Sequence, residues 1–311
     1  MNKKLLSTSF FIFICVIQLS AWPDVGVDIP VDIPGPVGDY LAIAQDINEA
    51  LQVFAEGYTP EQEYYLGRTC AANILNQYQN KTTENDQLSM YVNEIGQSLA
   101  VMSQADRDDL FSGFIFIVVE GSNKNAIATP GGFIFITTGM IEACENEDQI
   151  AAILAHEIGH VIHKDAVNSI DSKQRLISLI KLAEEYGGPA AKQKAQEALD
   201  KLPDWFVDEI INTSTDEIFS TIVDGMMGLW ENAYNQDQEK AADIYAVHLM
   251  TKTGYNPYEL INIIGKLNEG VGDHYGAHPS PEERVNYIST EIATLATYPQ
   301  TLPVRTERVV K

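Results

Sequence analysis

The chain has 311 residues, 45% of them apolar and 21% charged, the composition of an ordinary globular protein with a substantial core, so disorder is not the default reading. Acidic side chains number 44 against 20 basic ones, a net charge of −24. A surface this negative repels nucleic acid and anionic headgroups, and no basic stripe interrupts it, so a nucleic-acid partner is excluded.

The first 21 residues read as an export signal. Lys3 and Lys4 form a positive start, Leu5 to Leu19 is apolar, and Ser20 and Ala21 are small. The apolar run is short of the about 20 residues that span a bilayer. Leu19 stands where a small residue is preferred, so peripheral or N-terminal membrane association stays open beside export to the periplasm or cell envelope. Cys15 is not preceded by the small residue a lipoprotein signal requires. Cys70 and Cys144 remain, either paired or as two buried thiols.

Val27-Asp28-Ile29-Pro30 recurs as Val31-Asp32-Ile33-Pro34, which makes 22–38 a proline-rich spacer. Asp39 opens a predicted helix with Ile43, Ile47, Leu51 and Phe54 on one face. Thr59-Pro60-Glu61 starts a second, with a cap, a proline at the first position and an acid near the positive end. A third runs from Asp86 to Met102. Phe114–Val119 and Phe133–Thr137 are runs of Ile, Val and Phe, with 125–128 between them, and read as a small antiparallel sheet. A helix then starts at Asn146 or Asp148 and continues through Ile150, Ile153, Leu154 and Ile158. Residues 171–230 form a helical insertion, broken at Gly187-Gly188-Pro189 and Pro203. Asp237–Lys252 is helical up to Gly254, and Asn256-Pro257 starts the next helix. These elements predict one domain over 39–297, followed by a tail at 298–311.

The chemistry lies in His156-Glu157-Ile158-Gly159-His160. At about 100° per residue the two histidines share a helix face one turn apart and can address one metal ion. Glu157 can accept a proton from a water that zinc has acidified toward a pKa of about 7. Apolar neighbours on both sides imply burial, and two buried histidines with a carboxylate need a cation. A third protein ligand is required. His163 is too close in the chain to complete a tetrahedron readily, which favours Glu239, with Asp243 one turn on and able to orient a zinc histidine. Small Ala241 and Ala242 would let the two helices approach closely. His248 faces away and reads as structural.

Taken together these residues resemble the gluzincin metallopeptidases, the HtpX-like and CAAX prenyl endopeptidases and their soluble periplasmic BepA- and LoiP-like branch. The resemblance spans Thr59 to Ile288. It includes Glu61-Gln62-Glu63 with Gly67, Asn125-Ala126, Pro130-Gly131-Gly132, Gly139-Met140, the His156–His160 motif, Glu239 to Asp243, Gly254-Tyr255-Asn256-Pro257, and His278-Pro279 with Arg284. It implies one zinc per chain on His156, His160 and Glu239, with Glu157 as general base and Asp243 supporting a ligand. His278 and Arg284 would act on the substrate carbonyl or its oxyanion, or His278 would plug the zinc in the resting state. The multiple membrane spans of some branches are missing.

The expected fold is α+β and zincin-like, mostly helical, with the small antiparallel sheet beside the active-site helix. The expected function is hydrolysis of internal peptide bonds in exported, unfolded or misassembled polypeptides, with a zinc-containing chaperone-like binding protein as the alternative. Two placements follow. Gly131, Gly132, Phe133, Ile134 and Phe135 would belong to an edge strand that pairs with substrate, a plain core strand being the alternative. Asp204–Trp230 would cover the cleft or pack as core.

Overall fold

The computed structural model describes residues 46–309 except 48, 53, 55–56, 79–85, 104–109, 171, 186, 216, 219, 223, 226–233 and 268–278. The export signal, the spacer and the start of the Asp39 helix lie outside the described residues. Residues 46–47 and 49–52 are helical, with Ile47 and Ala50 buried.

In chain order the elements are α1 (Pro60–Gln77), α2 (Asp86–Ser103), β1 (Ile115–Val119), β2 (Ala126–Ala128), β3 (Phe133–Thr137), α3 (Thr138–Ala143), α4 (Glu147–Ile162) and α5 (Asp165–Asn168). They continue with α6 (Ser172–Glu185), α7 (Pro189–Leu199), α8 (Asp204–Asn212), α9 (Gln236–Thr253), α10 (Tyr258–Leu267), α11 (Pro281–Thr294) and α12 (Pro303–Val309). The chain divides into two compact units. One comprises Thr59–Ser169 and Ser220–Lys311, the other Ile170–Phe219 with the residues up to Tyr58. The second unit contains α6, α7 and α8, whose Leu176, Leu179, Ile180, Phe206 and Ile210 are buried. Met226 and Trp230 of the expected cover lie outside the described residues.

In the first unit the mostly helical α+β expectation holds, and the sheet corrects it in one respect. Its order is β1-β3-β2, with β1 parallel and β2 antiparallel to β3, so it is mixed. The tight Pro130-Gly131-Gly132 turn folds β2 back on β3 and occupies that side. The strand before them is left the opposite side, running in the direction of β3. A second correction follows. β3 is the central strand, paired on both sides and buried along its length, so Gly131 to Thr137 offers no edge to a substrate. The continuous apolar run of Phe133–Ile136 is that of a strand covered on both faces.

Glycines set the close approaches. A Cβ on Gly67 of α1 would lie 1.7 Å from the Pro130 carbonyl oxygen, so this helix can rest on the turn only without a side chain there. A Cβ on Gly159 of α4 would meet the Ala242 Cα at 3.1 Å, and small residues on both helices let α4 and α9 pack backbone to backbone, as Ala241-Ala242 implied. Asn146 caps α4 through the Gln149 N–H, and Asn235 with Gln238 forms a capping box on α9. Gly254 ends α9 in the left-handed conformation, at φ 85°.

Candidate metal centre

α4 is buried along nearly its whole length and carries His156, Glu157 and His160; α9 carries Glu239 and Asp243. The metal-facing atoms of His156, His160 and Glu239 all lie within 4.8 Å of one another. The two imidazole Nε2 atoms are 3.0 Å apart, and the Glu239 carboxylate is 3.5 Å from the first and 3.7 Å from the second.

The outer nitrogens explain why this cluster needs a cation. His156 Nδ1 is 2.9 Å from Asp243 Oδ1, and His160 Nδ1 is 2.8 Å from Asp165 Oδ2. Each Nδ1 therefore carries a proton and donates it to a carboxylate, so both Nε2 atoms turn lone pairs inward. Two lone pairs and a carboxylate converging in a buried space repel one another unless a positive charge joins them. Burial opposes charge on His156, yet the hydrogen bonds and charges of Asp243 and Glu239 outweigh it and push this histidine up to about 10. The site takes a proton where it would take a metal ion.

The support extends outward. Asp243 is fully buried and accepts from Arg284 twice, Nε at 2.8 Å and Nη2 at 2.7 Å, and from the Tyr287 hydroxyl at 2.5 Å. Burial would raise its pKa, but Arg284 and then His156 hold this carboxyl well below the usual range. The Arg284 fork is thus engaged with Asp243, behind His156. Tyr234 packs its ring over His160 at 4.4 Å, donates its N–H to Glu239 Oε1 at 3.1 Å and its hydroxyl to the Ala128 carbonyl at 3.2 Å.

Glu157 is buried beside His156 and makes no hydrogen bond or ion pair with other described residues, which leaves its carboxylate available. His163 sits at the end of α4, edge-on to Tyr245, outside the three-residue cluster. His248 pairs with Glu291 at 2.7 Å. Cys70 and Cys144 are buried thiols that form no disulfide, and burial pushes both up to about 12. His278 lies outside the described residues.

Sequence reasoning missed Asp165, Tyr234 and Tyr287. Only Asp165 left a local trace. It opens a new helix immediately after Lys164, which turns through the left-handed region at φ 58° and swings the acid back under His160.

Residues 86–292 match the model of peptidase family M48. A beta-barrel assembly-enhancing protease of Yersinia pestis is 22% identical over 215 residues, covering 64% of this chain and 38% of the relative. One of Escherichia coli is 21% identical over 206 residues, covering 64% and 37%. The mitochondrial metalloendopeptidase OMA1 of Arabidopsis thaliana is 21% identical over 177 residues, covering 56% and 30%. The chain spans less than half the length of these relatives. With the His156–His160 helix, the Glu239 helix and Arg284 all inside the matched residues, the chain belongs to peptidase family M48.

Proposed function

We propose that the chain is a zinc-dependent endopeptidase that hydrolyses internal peptide bonds of exported polypeptides, unfolded or misassembled ones in particular. The convergence of two Nε2 lone pairs and a carboxylate beside an unengaged Glu157 carries this reading. Ligand atoms on a tetrahedral zinc, at about 2.1 Å from the metal, are separated by about 3.4 Å. The observed 3.0, 3.5 and 3.7 Å fit that spacing. His156, His160 and Glu239 would hold the ion, one per chain. When bound, zinc supplies the Lewis acidity that makes water nucleophilic at neutral pH. Glu157 takes the proton of the attacking water on its carboxylate. Asp243 and Asp165 keep the rings in the required tautomer, and Arg284 and Tyr287 hold Asp243 in place. This gives Arg284 a positioning role in place of direct contact with the oxyanion, which leaves His278 for that task.

Substrate pairs with β2. Asn125 accepts from the Thr137 N–H and the Thr129 N–H donates to Phe133, so Ile127 turns its backbone to β3 while Ala126 and Ala128 turn theirs outward; the Ala128 carbonyl is taken by the Tyr234 hydroxyl, which leaves Ala126 as the open position. The opposite edge is closed, because Gln97 and Asn93 of α2 donate to the Phe114 and Phe116 carbonyls of the β1 side at 3.0 and 3.2 Å. An extended, unfolded peptide suits such an edge.

Export is supported by the charged and apolar pattern of the first 21 residues. Among the described residues no helix is long and apolar enough to cross a membrane. The names of the two bacterial relatives speak of beta-barrel assembly, which supports substrates that are still unassembled. The test is cleavage of casein by the purified chain, with its metal content measured. One zinc per chain and proteolysis abolished by a chelator is the expected result. One zinc with intact casein would favour the chaperone-like alternative.

A further inference from the structure

The last described helix, α12, lies beyond the residues matched by the family model, yet it reaches back to both helices of the metal centre. Arg305 Nη1 donates to Asp148 Oδ1 and to the Gly254 carbonyl, both at 2.9 Å. The guanidinium stands 4.4 Å from the centre of the Tyr255 ring, and its Nε is 3.7 Å from Glu147 Oε1. Asp148 is fully buried in the first turn of α4, and no other cation among the described residues pairs with it. Gly254 is the C-cap of α9.

The two helices run antiparallel. The Asn256 N–H reaches Asp148 at one end, while Gly159 meets Ala242 toward the other. Arg305 therefore ties the start of the helix bearing His156 and His160 to the end of the helix bearing Glu239. The Gly159–Ala242 contact lies level with the metal-facing residues and has no interlocking side chain, so the register there is set by contacts elsewhere along the two helices, the Arg305 tie and the His156–Asp243 hydrogen bond among them. A slip of one residue along a helix is about 1.5 Å, enough to move Glu239 out of step with the two rings. Loss of the tie would also leave the Asp148 carboxylate buried without its cation, which drives the first turn of α4 toward water.

We infer that the C-terminal segment is a clamp, with Arg305 as a positioning residue that sets the register between the two ligand-bearing helices. This rests on reading His156, His160 and Glu239 as metal ligands. Both hydrogen bonds leave one nitrogen, so a lysine ammonium can make both and a glutamine cannot match its charge.

The test is zinc affinity of the full chain, by competition with a chromophoric chelator, together with hydrogen exchange at the α4 amides. Arg305→Gln should weaken zinc binding at least tenfold and speed exchange in the first turns of α4. Arg305→Lys should bind zinc within threefold of wild type. Should Arg305→Gln fail to fold, Arg305→Gln with Asp148→Asn removes the buried charge and the tie together. That double variant keeps the tenfold loss if the tie sets the register. Unchanged zinc affinity in Arg305→Gln or in the double variant overturns the clamp. A wild-type chain that binds no zinc overturns instead the metal reading on which the clamp depends.

Discussion

His156 and His160 point their Nε2 atoms at one another across 3.0 Å, and each is fixed in that pose by a different acid, Asp243 behind one and Asp165 behind the other. The two supports are unequal. Asp243 is itself held by Arg284 and Tyr287, whereas Asp165 lies in the short helix that follows the turn at Lys164. Partners of this kind orient a ligand ring and raise its basicity, and removing one typically weakens metal binding about 10- to 100-fold. Asp165→Ala should weaken zinc binding by that range with the fold intact, as read by chelator competition and circular dichroism. Unaltered affinity would mean that His160 needs no orienting acid.

Asp243→Ala should do more damage. It strands the Arg284 guanidinium, 13% exposed, without its partner and frees His156 together with Tyr287. Breaking a buried pair by removing one partner costs about 3–5 kcal/mol. The expected outcome is lost zinc together with a lowered melting temperature, where Asp165→Ala loses affinity alone. Equal melting temperatures for the two variants would contradict this hierarchy.

Glu157→Gln preserves shape and removes the base. Zinc should remain at one per chain while peptide turnover falls by about two orders of magnitude or more. Metal analysis beside a cleavage assay reads both quantities on one sample. Loss of zinc from this variant would instead make Glu157 part of the metal shell.

Stability should depend on pH differently with and without metal. In the metal-stripped chain His156 is raised to about 10 against about 6.5 in an unfolded chain. The stability this contributes is fully present below pH about 6.5 and fades as pH rises through 10. Asp243, depressed in the fold, contributes stability above about pH 3.9 that is lost as pH falls further. A metal ion held by His156, His160 and Glu239 would take the place of the His156 proton, so the loaded chain should lack the alkaline decline. Thermal unfolding of both forms from pH 6 to 10 makes the comparison, and parallel curves would rule it out.

Gly67→Ala tests the packing of α1 on the turn before β3. Its Cβ would overlap the Pro130 carbonyl oxygen at 1.7 Å, and backbone must move to accept it. Overpacking of this kind costs about 1–3 kcal/mol. A drop of a few degrees in melting temperature is expected, and an unchanged one would show that the turn can yield freely.

What the sequence by itself determined is what a few neighbouring residues encode. Four-residue spacing puts His156 and His160 on one face because the helix period does so anywhere. The caps at Thr59 and Asn146 mark helix starts because side chain and orphan N–H groups lie within one turn of each other. The Glu239–Asp243 pair was legible by the same spacing, with the family resemblance to single it out. Strand order was not legible. The pattern of β3 reads alike at an edge or in the centre, and the pairing depends on where β1 lands after β2 has taken one side. Arg284 stands out in the sequence only through the family resemblance, and Arg305 falls in a stretch with no distinguishing pattern. Each is defined by a buried acid distant in the chain, Asp243 and Asp148. Tertiary structure decided those pairings, because a buried carboxylate takes whichever cation the packing brings to it, and sequence distance has no bearing on that reach.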